Sequence, residues 1–281
     1  MRFGINTFLF TSPFTNRSTR LFAQFKKWGF DSVEIAVEEP AHIDPHYIKA
    51  QLDRHGLVAG TLCACFPPSR DLRGTVRQQR DCETYLRQLI EMMPTLGCKT
   101  LIGPLYSATG RADMVEPKQR RAQWRLVVGG LRGICAVAEH HGCEIAMEPL
   151  NRFETDFINT VEQGLDMIAD VGSPALKLLL DTFHMNIEEK DIPAAIRKAG
   201  RKVAHIHACG SDRGTPGGDH TDWAGIARAL RDIRYDGDVV IESFTPDVKV
   251  IARAAAIWRH IEPTREEIAV KGLRFLKKNL K

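Results

Sequence analysis

Glu144-Ile-Ala-Met-Glu148-Pro149, Leu178-Leu-Leu-Asp181-Thr-Phe-His184, Val203-Ala-His205-Ile-His207 and Val239-Val-Ile-Glu242-Ser-Phe244 are four short apolar runs, each closed by one residue of a type that binds metal ions. Each run has the length and composition of a buried strand, and a helical pattern separates it from the next. Strands joined in this way lie parallel, because the helix carries the chain back between them. If the sheet closes on itself, Glu148, Asp181, His207 and Glu242 gather at its C-terminal rim.

The same alternation continues upstream. Strand-like runs are expected at 3–10, 32–37, 57–66 and 100–106, and helices at 17–27, 45–54, 76–96 and 117–141, with Gly29, Gly56, Gly97 and Gly142 as stops. Downstream, Thr160-Val-Glu-Gln163 has the spacing of a capping box and opens a helix that ends at Val171-Gly172. Further helices are expected at 192–199, at 223–233 behind an Asp222 N-cap, at 248–258 and at 265–278. Eight strand-helix units in 281 residues fit a (β/α)₈ TIM barrel, which typically needs about 250. The class is α/β, and residues 1–281 read as one domain without a linker or low-complexity segment. Neither G-x-G-x-x-G nor G-x-x-x-x-G-K-[ST] occurs, which argues against a nucleotide-binding open sheet.

Composition narrows the setting. A hydrophobic share of 43% and a charged share of 26% are ordinary for a globular chain. The net charge of +4 is too small to suggest nucleic acid, and the basic cluster Lys271, Arg274, Lys277, Lys278 and Lys281 reads as a solvated helix face. Seven scattered cysteines without a CxxC pair suggest neither a disulfide framework nor a thiolate zinc site, so a reducing cytoplasm is the expected compartment. The N-terminus enters directly into a strand-like run rather than a signal peptide. No apolar run approaches the roughly 20 residues of a membrane span.

Three carboxylates and one imidazole make a hard, mostly oxygen site suited to Mn²⁺ or Mg²⁺. One such acid alone could cap a helix or pair with an arginine. Four at equivalent ends of four successive strands would repel and resist ionisation unless a cation lay among them. His205 projects to the same side as His207 and reads as structural, whereas His184 lies past its strand and within reach of a ligand. The loop Gly210-Ser-Asp-Arg-Gly-Thr-Pro-Gly-Gly218 presents Arg213 over the site, and Asn151-Arg-Phe-Glu154 offers Glu154 to a polyol, with an Arg152 salt bridge as its duller alternative.

Four motifs carry a resemblance that spans the chain from Gly4-Ile-Asn6 onward: Glu148-Pro-Leu-Asn-Arg152, Asp181-Thr-Phe-His184-Met-Asn186, His205-Ile-His207 with Asp212-Arg-Gly-Thr-Pro-Gly217, and Glu242-Ser-Phe244. Together they resemble the D-tagatose 3-epimerase family (D-psicose or D-allulose 3-epimerase, L-ribulose 3-epimerase) among the sugar phosphate isomerase/epimerase-like TIM barrels. The resemblance implies metal ligation by Glu148, Asp181, His207 and Glu242, holding Mn²⁺, Co²⁺ or Mg²⁺. It implies substrate contacts from Glu154, His184 and Arg213 and a homodimer or homotetramer, while the sequence shows no evident cluster of phosphate-binding backbone and cationic groups, which favours a free sugar. Tyr106 and the loops 66–71 and 106–111 fall where members with different ketose preferences vary.

The implied chemistry is C3 epimerisation of a free ketose through a cis-enediolate, with Glu148 and Glu242 as acid and base on opposite faces of C3. Phe244 and Phe10 are candidate apolar walls, or ordinary core. The nearest rival is an aldose–ketose isomerase of the same superfamily resembling hydroxypyruvate isomerase, which would move a proton between C1 and C2. An endonuclease IV-like enzyme would need a cluster of about three metals with further histidines at strands two and three, and strong phosphate binding. A catalytically silent sugar-binding barrel is the rival from another class.

Overall fold

The parity of side chains along eight short strands decides what faces the axis of this protein. The structure, a computed structural model, describes residues 1–280. The strands are β1 (Arg2–Asn6), β2 (Ser32–Val37), β3 (Val58–Ala64), β4 (Thr100–Gly103), β5 (Glu144–Met147), β6 (Leu176–Asp181), β7 (Val203–Ala208) and β8 (Asp238–Ile241). They form one closed barrel in sequence order, with every neighbouring pair parallel and β8 pairing back onto β1. The helices are α1 (Phe22–Trp28), α2 (Pro45–His55), α3 (Val76–Leu96), α4 (Pro117–His140), α5 (Val161–Val171), α6 (Thr182–Glu188), α7 (Ile192–Ala199), α8 (Trp223–Asp232), α9 (Lys249–Ala254) and α10 (Arg265–Asn279).

Successive residues of a strand point to opposite faces of the sheet. One row, including Phe3, Ile5, Val33, Ile35, Leu101, Met147, Leu178, Ile206 and Ile241, packs outward into the main hydrophobic cluster beneath the helices. The other row points to the axis and forms a smaller apolar cluster with Ala36, Cys63, Ile102, Ala146 and Leu179. Glu34, His205, His207 and Asp181 share that inner parity. Barrel interiors are usually filled by bulky branched residues. Here much of that volume is polar, so each polar atom must find a partner.

The expected elements are present with local differences. β1 stops at Asn6 because the Asn6 side chain accepts from Phe8 N at 2.8 Å and starts a 3₁₀ turn over Thr7–Leu9. The first helix region is a 3₁₀ segment, Asn16–Leu21, followed by α1. The capping boxes of α3 (Thr75 with Gln78) and α5 (Thr160 with Gln163) are both formed. α6 is an addition to the sequence reading. It follows β6 without a loop because Asp181 caps it, accepting from Phe183 N at 2.7 Å, and its seven residues are too few to show a helical period.

Gly103 ends β4 with φ 133°, and a Cβ there would stand 2.9 Å from the carbonyl oxygen of Ala64. The position therefore combines a backbone conformation closed to other residues with a backbone contact that has no room to yield. Gly103→Ala is expected to lower stability by about 1–3 kcal/mol, read as a lower urea midpoint with unchanged slope.

Candidate active site

The C-terminal ends of the strands deliver four ligand-type side chains to one point. Glu148 directly follows β5, Asp181 is the last residue of β6, His207 lies one residue from the end of β7, and Glu242 directly follows β8. The register pairs Asp181 with His207 across β6 and β7. One ligand atom from each of the four lies within 4.8 Å of all the others, and every one of these residues is buried. His207 Nδ1 stands 3.1 Å from Glu242 Oε2 and 3.6 Å from both Glu148 Oε1 and Asp181 Oδ2.

These atoms are spaced as donors around a common cation. Two ligands each about 2.1 Å from a Mg²⁺-sized ion stand about 3–4 Å apart. Moreover, Glu148 Oε1 and His207 Nδ1 are fully buried with no hydrogen-bond partner, a condition that native proteins rarely leave unresolved. The donor set and the two orphaned atoms therefore fit a hard divalent ion.

Arg213 supplies positive charge to the same cluster. It is 5% exposed, adopts φ 70°, and its guanidinium bridges Asp181 Oδ2 and, at 2.6 Å, Glu242 Oε2. Its loop is held by the Arg213 N to Gly210 O and Gly210 N to Gly214 O hydrogen bonds. The rings of Phe183 and Phe244 flank the guanidinium, with its carbon 4.9 and 4.7 Å from their centroids.

Burial and charge set opposite tendencies within the cluster. Burial would raise the Asp181 carboxyl, but Arg213 above all, with His184 and His207, holds it well below the usual range. Burial pushes the Glu148 carboxyl up, and the opposing pull of His207 and His184 does not cancel it. The His207 imidazole would be lowered by burial, yet Glu242, Glu34, Asp181 and Glu148 raise it well above its ordinary value.

A cavity of about 470 Å³ opens over this cluster, and Glu148, Glu154, His184, Arg213, Glu242 and Phe244 all line it. His184, on α6, sets Nε2 3.7 Å from Glu148 Oε1, while its Nδ1 meets the Asn151 side-chain nitrogen at 2.9 Å. Glu154 accepts from Asn151 Nδ2 at 2.9 Å. Arg152 instead pairs with Glu188 at 3.0 Å, which leaves Glu154 facing the cavity.

Two expectations change in detail. Tyr106 is fully buried, and its hydroxyl donates to the carbonyls of Glu148 and Ile158 at 3.0 Å, so it braces the β5 end. The cavity wall on that side comes from Pro104 and Thr109. Phe10 packs against Phe25 and Trp28 as core, whereas Phe244 lines the cavity.

Sequence reasoning missed Glu34. It is fully buried beneath the cluster, 2.8 Å from the Nε2 atoms of both His205 and His207, and bonded to Asn6 Nδ2 and Thr61 Oγ1 at 2.6 Å. Burial would raise its carboxyl, and the two histidines hold it well below the ordinary range instead. The available signal was an acid in the middle of Ser32-Val-Glu-Ile-Ala-Val37, at inward parity with Ala36.

The chain matches the family model described as xylose isomerase-like TIM barrel over residues 22–279. It is 38% identical to a Synechocystis sp. protein named "Probable ketose 3-epimerase", covering 99% of this chain and 96% of that one. It is 33% identical to the D-psicose 3-epimerase of Enterocloster bolteae over 89% of this chain and 86% of the relative. Among solved structures, a D-allulose 3-epimerase from Methylomonas sp. in complex with D-allulose superposes with a TM-score of 0.92 at 26% identity, covering 99% and 97% of the two chains.

Proposed function

We propose, from the premise that this chain belongs to the xylose isomerase-like TIM barrel family and to the ketose 3-epimerases within it, that it inverts C3 of free ketoses of the D-tagatose, D-psicose, D-fructose or L-ribulose type. The observation that carries the reading is the meeting of Glu148 and Glu242 at one four-residue cluster in the floor of a sugar-sized cavity.

Glu148, Asp181, His207 and Glu242 would hold the ion, with Mn²⁺ favoured and Co²⁺ or Mg²⁺ as alternatives. When bound, such an ion supplies Lewis acidity to the oxygens beside the reacting carbon. Glu148 and Glu242 enter the site from strands separated by two others, so they reach C3 from different sides. One removes the C3 proton and the other returns a proton to the opposite face, and the roles exchange in the reverse direction. His184 and Arg213 orient the oxygens near C3, and Glu154 accepts from a hydroxyl farther along the chain. Phe244 and Phe8 give the cavity apolar wall.

Both arginines lining the cavity are engaged, which favours an unphosphorylated sugar. Arg70 donates to the carbonyls of Glu38 and Cys65 and lies over the Tyr85 ring, while Arg213 holds Asp181 and Glu242. The same proposal includes a homodimer or homotetramer in the cytoplasm, without nucleic acid or membrane as partner. All seven cysteines are free, and no helix among the described residues is long and apolar enough to cross a membrane.

A panel of free ketohexoses and ketopentoses with added Mn²⁺ tests the reaction. The expected result is the C3 epimer, with solvent deuterium incorporated at C3. An aldose product labelled at C1 or C2 would transfer the chain to the isomerase alternative, and no product from any sugar would count against both.

A further inference from the structure

We propose that Glu34 is the positioning residue of this centre: its carboxylate fixes which ring nitrogen His207 turns toward the cluster and, through Asn6, how Glu242 is aimed. The inference rests on the metal site proposed above, and it concerns side chains that lie outside the ligand set.

Glu34 sits on β2 in the inner row, one level below the cluster and fully buried. Each oxygen has two close neighbours, and three of the four donate hydrogen bonds. Oε1 takes Asn6 Nδ2 at 2.6 Å and His207 Nε2 at 2.8 Å, and Oε2 takes Thr61 Oγ1 at 2.6 Å and has His205 Nε2 at 2.8 Å. Three of the roughly four acceptor sites of an ionised carboxylate are thus hydrogen-bonded, and the His205 ring nitrogen stands against the fourth. That separates Glu34 from the ligands, although its oxygens also lie near Cys63 and Glu242.

An ionised carboxylate only accepts, so the proton at that contact belongs to His207 Nε2. Where a cation takes the place of the proton on Nδ1, the ring keeps its Nε2 proton and presents a lone pair on Nδ1. Nδ1 is the atom that faces Glu148, Asp181 and Glu242 and has no hydrogen-bond partner. Glu34 therefore selects the tautomer and the ring orientation that a metal ligand needs.

Asn6 extends the same control to an acid–base residue. Its Oδ1 accepts from Phe8 N at 2.8 Å, which settles which end of the amide is NH₂. Its Nδ2 then donates to Glu34 Oε1 at 2.6 Å and to Glu242 Oε1 at 2.9 Å. Glu242 is left with Oε2 directed at Arg213 and His207. The strand register builds this link, since Asn6 pairs with Glu34 across β1 and β2, and Glu34 with Thr61 across β2 and β3. Thr61 holds the second oxygen, with His205 Nε2 packed beside it, and keeps the carboxylate from turning.

Two measurements test this without relying on turnover. In ¹⁵N-histidine spectra of the Zn²⁺-loaded native protein (Zn²⁺ as a diamagnetic probe), His207 is expected to carry its proton on Nε2 and the metal on Nδ1. The reverse assignment overturns the inference. In titrations of Mn²⁺ into metal-free protein, Glu34→Gln is expected to bind about 10–100-fold more weakly than the native chain, with an unchanged circular dichroism spectrum. Glutamine leaves one oxygen for three donors and turns an NH₂ toward at least one of them. Equal affinity in the variant overturns the role of Glu34 while the metal site stands, whereas a native chain that binds no Mn²⁺ removes both. If the variant does not fold, the spectra of the native protein decide.

Discussion

Glu148→Gln and Glu242→Gln are each expected to slow C3 epimerisation by about 10²–10⁴-fold while the chain stays folded. Glutamine preserves the shape and one oxygen for a ligand contact but cannot take or return a proton. The two variants should also differ from one another. Solvent deuterium enters C3 only after the first proton has left, so for a given sugar one variant should lose exchange entirely. The other blocks only return to the far face, and it should keep washing label in and out of the unreacted sugar if its partner still acts. Running the panel from the C3 epimer should exchange the two behaviours. Full exchange and full epimerisation in both variants would rule out the two-glutamate scheme. Loss of Mn²⁺ binding alongside loss of exchange would instead mark a ligand defect, so metal content is measured in the same samples.

Arg213→Ala is expected to produce the largest stability effect, and its size should depend on metal. Arg213 and its partners Asp181 and Glu242 are all buried, and the guanidinium contacts both carboxylates. Removing one member of a buried pair leaves charge uncompensated and costs about 3–5 kcal/mol. In a chain of this size that lowers Tm on the order of 10 °C. The comparison that matters is between chelator and saturating Mn²⁺. If the cation and the arginine neutralise the same carboxylates, the loss should be greater in chelator. An equal loss in both conditions would mean that Arg213 stabilises the fold independently of the metal site.

The barrel was legible because its strands are short apolar runs punctuated by glycine, and because four of them end in ligand-type residues. Strand parity then carried the cluster: Asp181, His207 and Glu242 could be placed on one rim without knowing any distance. What escaped depended on contacts between elements remote in sequence. Glu34 meets His207 across the barrel, a relation that no local pattern encodes. Tyr106 was expected where ketose preference varies, but its hydroxyl is drawn inward by two carbonyls of the β5–α5 segment. Arg152 left Glu154 for Glu188 on α6, a helix too short to announce itself and held against β6 by its Asp181 cap. In each case a tertiary partner decided between readings that were locally equivalent.

The division of each strand into an axial row and a helix-facing row restricts which length changes the chain tolerates. Deleting one residue from the middle of β2 would send Ile35 toward the ligands and Glu34 under the helices, and β7 would fail in the same manner with its histidines. A two-residue change keeps odd and even in place and only shifts the rim. Gene variants of this protein that remain active should therefore differ by single-residue insertions only in the loops, never between Ser32 and Val37 or between Val203 and Ala208.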